Sequence, residues 1–251
     1  MTPSTPKIRL FVPDRLTAAV RVALSRGQAH YLGHVMRLDV GDGVLLFNGR
    51  DGEWSAEVGT LKKNQCQVAV LRLVRGQAAE QGPWLAFAPI KKAGTDLIVE
   101  KATELGASRL CPVFTRNTNA ARVNCDRLRA RAIETAEQCQ RLTVPEIAEP
   151  VTLRELTDGW PKQRRLLVLD ETGAGAPIAE VLKGLRSNVR DAAQPCGFLS
   201  GPEGGFDASE LDALRKLDFV TTVGLGPRVL RAETATLSAL ACWQALIGAA
   251  R

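Results

Sequence analysis

A chain of 251 residues with 45% apolar and 24% charged side chains has globular composition, enough for one large domain or two small ones. Its net charge is +6, and no apolar run approaches the roughly eighteen residues a transmembrane helix requires, which excludes such a span. The opening MTPSTPKIRLFVPDRL lacks the apolar core of a signal peptide, so a cytoplasmic protein is expected. In chain order, KIRLFV (7–12), VLLF (44–47), WSAEV (54–58) and QVAVLRL (67–73) read as strands, with turn formers at Gly41-Asp42-Gly43 and between Asn48 and Gly52. One helix interrupts them: Ser25 and Gln28 have capping-box spacing, and Tyr31, Leu32 and Val35 follow as an apolar stripe. Short strands with a single helix predict a small β-barrel over residues 1–74, followed by a polar linker, RGQAAEQG (75–82).

From 83 to 251 the pattern alternates. WLAFAPI (84–90), RLCPVF (109–114), RLLVLD (165–170), CGFLS (196–200) and DFVTTVG (218–224) are apolar strand candidates. Helices are predicted over 94–105 with Thr95 as N-cap, over 126–141, 177–186 and 207–217, and over 231–248. Expected buried faces are Ile98, Ala102 and Leu105 in the first, Leu128, Ala132, Ala136 and Cys139 in the second, and Leu237, Leu240, Ala241 and Leu246 in the last. Buried strands each followed by a helix indicate an α/β domain built on a parallel sheet.

The six cysteines have neither CxxC nor zinc-ligand spacing, and with His30 and His34 as the two histidines no metal site is expected. Residues 1–73 hold ten basic and six acidic residues, so the smaller domain carries most of the charge excess. Such a surface favours a polyanion through counterion release, or is a solvated mixed surface. With one tyrosine and 5% aromatics, base stacking is a poor route to nucleic acid, and contacts would go to phosphate or shape.

Two late segments carry the chemistry. Leu199-Ser200-Gly201-Pro202-Glu203-Gly204-Gly205-Phe206-Asp207 stands at the carboxyl end of a buried strand and enters a helix with Asp207 and Glu210 at capping-box spacing. Ligands of open α/β sheets bind at that end. Gly224-Leu225-Gly226-Pro227-Arg228-Val229-Leu230-Arg231-Ala232-Glu233-Thr234-Ala235 again joins a strand to a helix. Val229 occupies the third-glycine place of a dinucleotide fingerprint and no GxxxxGK[ST] occurs, so neither a nicotinamide nor a nucleoside triphosphate fits. A helix N-terminus with two arginines suits a carboxylate or phosphate.

LSGPEGGF (199–206) and GLGPRVLRAETA (224–235) resemble the two C-terminal motifs of the RsmE family. KATELGA (101–107), EQCQRLTVPEI (137–147) and HYLGHVMRLDVGDGV (30–44) resemble its other landmarks in the same order. The resemblance implies a SPOUT-type α/β trefoil-knot domain preceded by a PUA-like β-barrel that binds RNA. It implies a homodimer that uses S-adenosylmethionine to methylate N3 of a uridine in 16S rRNA of the small ribosomal subunit. Carried over, the cofactor contacts fall on Leu199, Gly201, Glu203, Gly204, Leu225, Gly226, Val229, Leu230, Ala232 and Thr234.

If uracil N3 is the acceptor, it must lose a proton before it is nucleophilic, which calls for a base or for positive charge beside O2 or O4. Arg231 is the first candidate for that charge and Arg228 the second. Glu203 is either the base or a ligand of backbone amides or ribose. Lys7, Arg9, His34, Arg37, Arg116 and Arg141 are the candidate RNA contacts, with Gln138 beside Arg141 on either an RNA or a dimer face. Methylation of a ribose 2′-OH or of another RNA base, and a non-catalytic RNA-binding assembly factor, are the competing readings.

Overall fold

The computed structural model describes residues 6, 8–63, 65–78, 80–187 and 195–248. Two units emerge from its contacts: Met1–Ala79 with Ile133–Val144, and Glu80–Ala132 with Pro145–Arg251.

The first unit holds β1 (Arg9–Phe11), β2 (Arg21–Leu24), α1 (Arg26–His30), β3 (Gly43–Phe47), β4 (Glu53–Lys62) and β5 (Gln65–Arg75). They form a sheet in the order β1-β3-β4-β5-β2, antiparallel except for the parallel pair β1 and β3. The capping box forms: the Gln28 amide N–H donates to Ser25 Oγ at 3.2 Å, and the Ser25 N–H donates to Gln28 Oε1 at 3.0 Å. After α1 the chain widens into a π-helical turn over Tyr31–Val35, and Leu32 inserts into the core beside Leu10, Val44, Val58 and Val68. Strand β2 lies outside the strands read from the sequence. Its four residues bury only Val22 and Leu24, too short an alternation to distinguish from a turn.

Residues 133–144, read from the sequence as part of the second domain, pack in this unit: Ala136 and Leu142 are buried against Phe47, with Phe11 and Val144 at the margin. The linear pattern has no signal for this, because a helix's partner is a tertiary property.

The second unit contains β6 (Trp84–Phe87), α2 (Lys92–Glu104), β7 (Arg109–Phe114), the start of α3 (Cys125–Gln138), β8 (Glu146–Ile147), β9 (Val151–Thr152) and α4 (Leu153–Gly159). These are followed by β10 (Arg165–Leu169), β11 (Ala176–Pro177), α5 (Ile178–Ser187), β12 (Cys196–Ser200), α6 (Ala208–Arg215), β13 (Val220–Gly224) and α7 (Ala232–Leu246). The sheet runs β11-β13-β10-β12-β6-β7-β8 with parallel pairing throughout, and β9 pairs with β7. Its central strands are the apolar runs expected of strands covered on both faces: β10 and β12 are buried almost end to end.

Two helix expectations are corrected. Helix α2 starts at Lys92 with Lys91 as N-cap. Thr95 lies inside it, buried, its hydroxyl donating to the Ile90 carbonyl at 2.9 Å and accepting the Ile90 N–H at 3.1 Å. Helix α7 buries Ala232, Thr236, Ala239, Leu240 and Trp243, while Ala241 is exposed and Leu237 and Leu246 are half-buried. The inward face is rotated because Thr236 seats its hydroxyl on Ser200 at 2.8 Å, a polar contact that an apolar-stripe reading assigns to solvent.

Candidate cofactor and acceptor site

A cavity of about 850 Å³ opens in the second unit, and its walls come from the chain leaving the carboxyl ends of four adjacent sheet strands. Ile90 and Lys91 follow β6, Leu169 to Gly173 end and follow β10, Ser200 to Glu203 end and follow β12, and Leu225 to Glu233 follow β13. This is where an open parallel sheet presents its ligand crevice.

The loop after β12 is held from several sides. The buried hydroxyls of Ser200 and Thr236 share a hydrogen bond of 2.8 Å, and Thr236 gives its proton to the Ala232 carbonyl at 2.8 Å, so β12 and the first turn of α7 are tied together. Asn117 Nδ2 donates to the carbonyls of Gly204 and Gly205 at 3.3 and 3.2 Å. Glu171 accepts the Phe206 N–H at 3.1 Å, and a Cβ on Gly205, whose φ is +69°, would lie 2.1 Å from the Glu171 carboxylate. Glycine is favoured there by its positive φ, and any side chain would displace the Glu171 carboxylate from its bond to Phe206. The helix beyond opens as its sequence predicts, with Asp207 as N-cap and Glu210 completing the box.

Glu203 accepts the Lys91 N–H at 3.2 Å and so fixes the entry of α2. Across the cavity Gly226 adopts φ +109°, and Arg231 is the N-cap of α7 without a side-chain cap bond. Arg228 and Arg231 are exposed, and among the described residues their side chains have neither an ion-pair nor a hydrogen-bond partner. Val229 is 82% exposed. An apolar side chain and two uncompensated guanidiniums in one short loop have no structural duty in the chain as it stands.

Asp170 forms the floor. Burial alone would raise its pKa, but hydrogen bonds from Thr172 and Arg215 outweigh that and hold the carboxyl below its ordinary value. Thr172 donates to Asp170 Oδ1 from its N–H at 2.9 Å and from its hydroxyl at 2.6 Å, and Arg215 donates to Oδ2 at 2.9 Å.

Of the cofactor contacts carried over from the resemblance, Gly201, Glu203, Leu225, Gly226, Val229, Leu230 and Ala232 line the cavity, together with Arg228 and Arg231. Leu199 is buried in the apolar core beneath it, while Gly204 and exposed Thr234 lie off the lining. The segment Asp170-Glu171-Thr172-Gly173 also lines the cavity and was missed. Its signal was legible, since RLLVLD reads as a buried strand and ligands gather past such strands' carboxyl ends.

The RNA candidates divide. Lys7 lies outside the described residues. His34 and Arg37 are exposed in the first unit, with the His34 ring 4.7 Å from that of His30. Arg116 is exposed but pairs with Asp207 at 3.1 Å. The expectation of phosphate contacts is corrected at Arg9 and Arg141, which are both 8% exposed. Arg9 pairs with Glu53 and donates to the carbonyls of Ala136, Glu137 and Arg141, and Arg141 donates to the Thr143 hydroxyl at 3.1 Å. Arg9 commits four of its five N–H donors inside the protein, and burial keeps both guanidiniums from a polyanion at the surface.

Among the described residues no group of three or more His, Cys, Asp or Glu side chains is placed to hold a metal. No described helix is long and apolar enough to cross a membrane. None of the six cysteines is in a disulfide, and burial pushes the Cys111 thiol up to about 11.

Residues 80–244 match the family model of an RNA methyltransferase domain, and residues 24–71 match that of an RNA methyltransferase PUA domain. The chain is 33% identical to the ribosomal RNA small subunit methyltransferase E of Rickettsia conorii, over 93% of each chain. It is 31% identical to the Synechocystis protein of the same name, over 95% of this chain and 78% of that one. The crystal structure of the Neisseria gonorrhoeae ribosomal RNA small subunit methyltransferase E bound to S-adenosyl methionine superimposes with a TM-score of 0.83. There the identity is 25%, and 96% of this chain and 98% of that one are covered.

Proposed function

Because the chain belongs to the ribosomal RNA small subunit methyltransferase E family, we propose that it methylates N3 of a uridine in 16S rRNA, with S-adenosylmethionine as donor. The observation that carries this reading is the single cavity into which the loops after β12 and β13 both open. Its residues fit the donor. About 850 Å³ falls in the ordinary range of small-molecule sites. Leu225, Val229 and Leu230 supply an apolar wall for adenine, and the glycines at 201 and 226 leave backbone amides accessible. Three basic and four acidic residues line the space, a mixed field suited to a ligand with a cationic sulfonium, an ammonium and one carboxylate.

When bound, the donor supplies a methyl group already activated, whose bonding pair stays on sulfur as it leaves. The chain's work is therefore on the acceptor. Arg231 holds positive charge for the developing negative charge on uracil O2 or O4, with Arg228 as the second such group. Glu203 commits one oxygen to the Lys91 amide, which supports a positioning role, and its other oxygen is open to take the N3 proton. Leu199, Gly204 and Thr234 support the lining from behind or beside it. The first unit serves RNA, with His34 and Arg37 as contacts, and Arg116 joins them where its pair with Asp207 opens. A homodimer, a cytoplasmic site of action and a trefoil-knotted path around the cavity complete the proposal, and sedimentation tests the first of these.

Isolated small subunits are incubated with the protein and labelled donor, and the digested nucleosides are resolved by mass spectrometry. The expected product is 3-methyluridine. A 2′-O-methyl nucleoside, or none, overturns the assignment.

A further inference from the structure

A second cavity of about 540 Å³ borders the first and shares Ile90, Lys91, Asn119 and Glu203 with it. Its charge is different in kind. Lys91, Lys92, Arg122 and Arg127 line it against one carboxylate, Glu203. Arg127 pairs with Asp96 and so fixes one wall. Among the described residues, the exposed side chains of Lys91, Lys92 and Arg122 have no ion-pair partner. Three uncompensated cations around one concavity repel one another, and the arrangement is relieved by an anion.

The donor carries a net positive charge and belongs in the mixed field of the first cavity. What the second cavity suits is an anion attached to a group that can reach the shared wall. Asn119 stands at that wall, and its side-chain amide has no partner among the described residues. A carboxamide there can donate to a pyrimidine carbonyl while a ribose-linked phosphate sits with the cations.

Resting on the function proposed above, we infer that this second cavity seats the acceptor nucleotide, with Lys92 and Arg122 on its flanking phosphate and Asn119 on a carbonyl of its base. A target taken into a concavity must leave its stack, which agrees with an acceptor nitrogen that is blocked in a base pair. The assignment separates two binding tasks that one enlarged cavity would otherwise confuse.

The test uses the full chain, uridine 5′-monophosphate as the probe in the presence of S-adenosylhomocysteine, and isolated small subunits. For the double variant Lys92→Gln, Arg122→Gln, we expect the nucleotide titration signal to be lost and KM for subunits to rise about ten-fold, with kcat within about two-fold. The slope of log affinity against log salt should become shallower by about one to two, the loss of two phosphate contacts. Calorimetric affinity for S-adenosylmethionine should not change, which also reports that the variant folds. Asn119→Ala should weaken the nucleotide and leave inorganic phosphate competition as it was. Unaltered KM and salt slope in the double variant, while the wild type still methylates, overturn this inference and leave the enzyme assignment standing. Inorganic phosphate that competes as well as the nucleotide reduces the cavity to an anion site and overturns it too. A wild-type protein that neither binds donor nor methylates overturns both readings.

Discussion

The Arg9 guanidinium meets the Glu53 carboxylate at 2.6 Å with both side chains less than a tenth exposed, and the same guanidinium closes the end of α3 through the carbonyls of Ala136, Glu137 and Arg141. Removing Arg9 leaves buried Glu53 with the longer 3.4 Å contact to partly exposed Arg75, and deprives three carbonyls of this donor. Arg9→Ala should therefore cost about 3 kcal/mol in urea denaturation. Arg9→Ala with Glu53→Ala should cost less than the sum of the single variants. Additive losses would show that the two side chains act independently.

Arg231→Ala should lower methyl transfer about 100-fold, because a donor aimed at developing negative charge is lost. Cofactor affinity, measured by calorimetry, should fall far less. Equal losses in both would move Arg231 from the acceptor to the donor side of the site.

Gly205 faces Glu171 at a positive φ, so Gly205→Ala forces strain and contact together. The left-handed conformation alone costs an alanine about 1 kcal/mol, and the Glu171 bond to the Phe206 amide must also yield. Reduced thermal stability and weaker donor binding are expected together. Loss of stability with donor affinity intact would detach this loop from the site.

The lowered Asp170 carboxyl sets a pH dependence. Its folded pKa lies below the ordinary 3.8, so its contribution is present above that value and is lost as pH falls through the lowered one. Asp170→Asn should remove about 2 kcal/mol at neutral pH, where charged hydrogen bonds are forfeited, and nothing in strong acid. The variant's stability curve should be flatter between pH 5 and pH 2 (approximate bounds from ordinary carboxylate titration), as chemical denaturation at several pH values would show.

Local chemistry was legible where one residue satisfies its own neighbour. The capping boxes at Ser25 with Gln28 and at Asp207 with Glu210 follow from residues three apart, and both form. The strands CGFLS and RLCPVF begin and end where their apolar runs do. At Thr95 and Thr236 the same kind of reasoning failed. Their hydroxyls answer partners brought close by packing, Ile90 across a tight turn and Ser200 thirty-six positions away.

The candidate site divides along the same line. Its glycines, its arginines and its place after buried strands are written in the order of residues, because strand burial and turn chemistry are local and periodic. Which loops meet was decided by the sheet order, which sets β10 between β12 and β13 and so brings Asp170 and Glu171 to the cavity. Burial likewise turned Arg9 and Arg141 from surface cations into internal ones. A charge advertises its sign in the sequence, but only the folded chain determines whether water, a carboxylate or a helix end receives it.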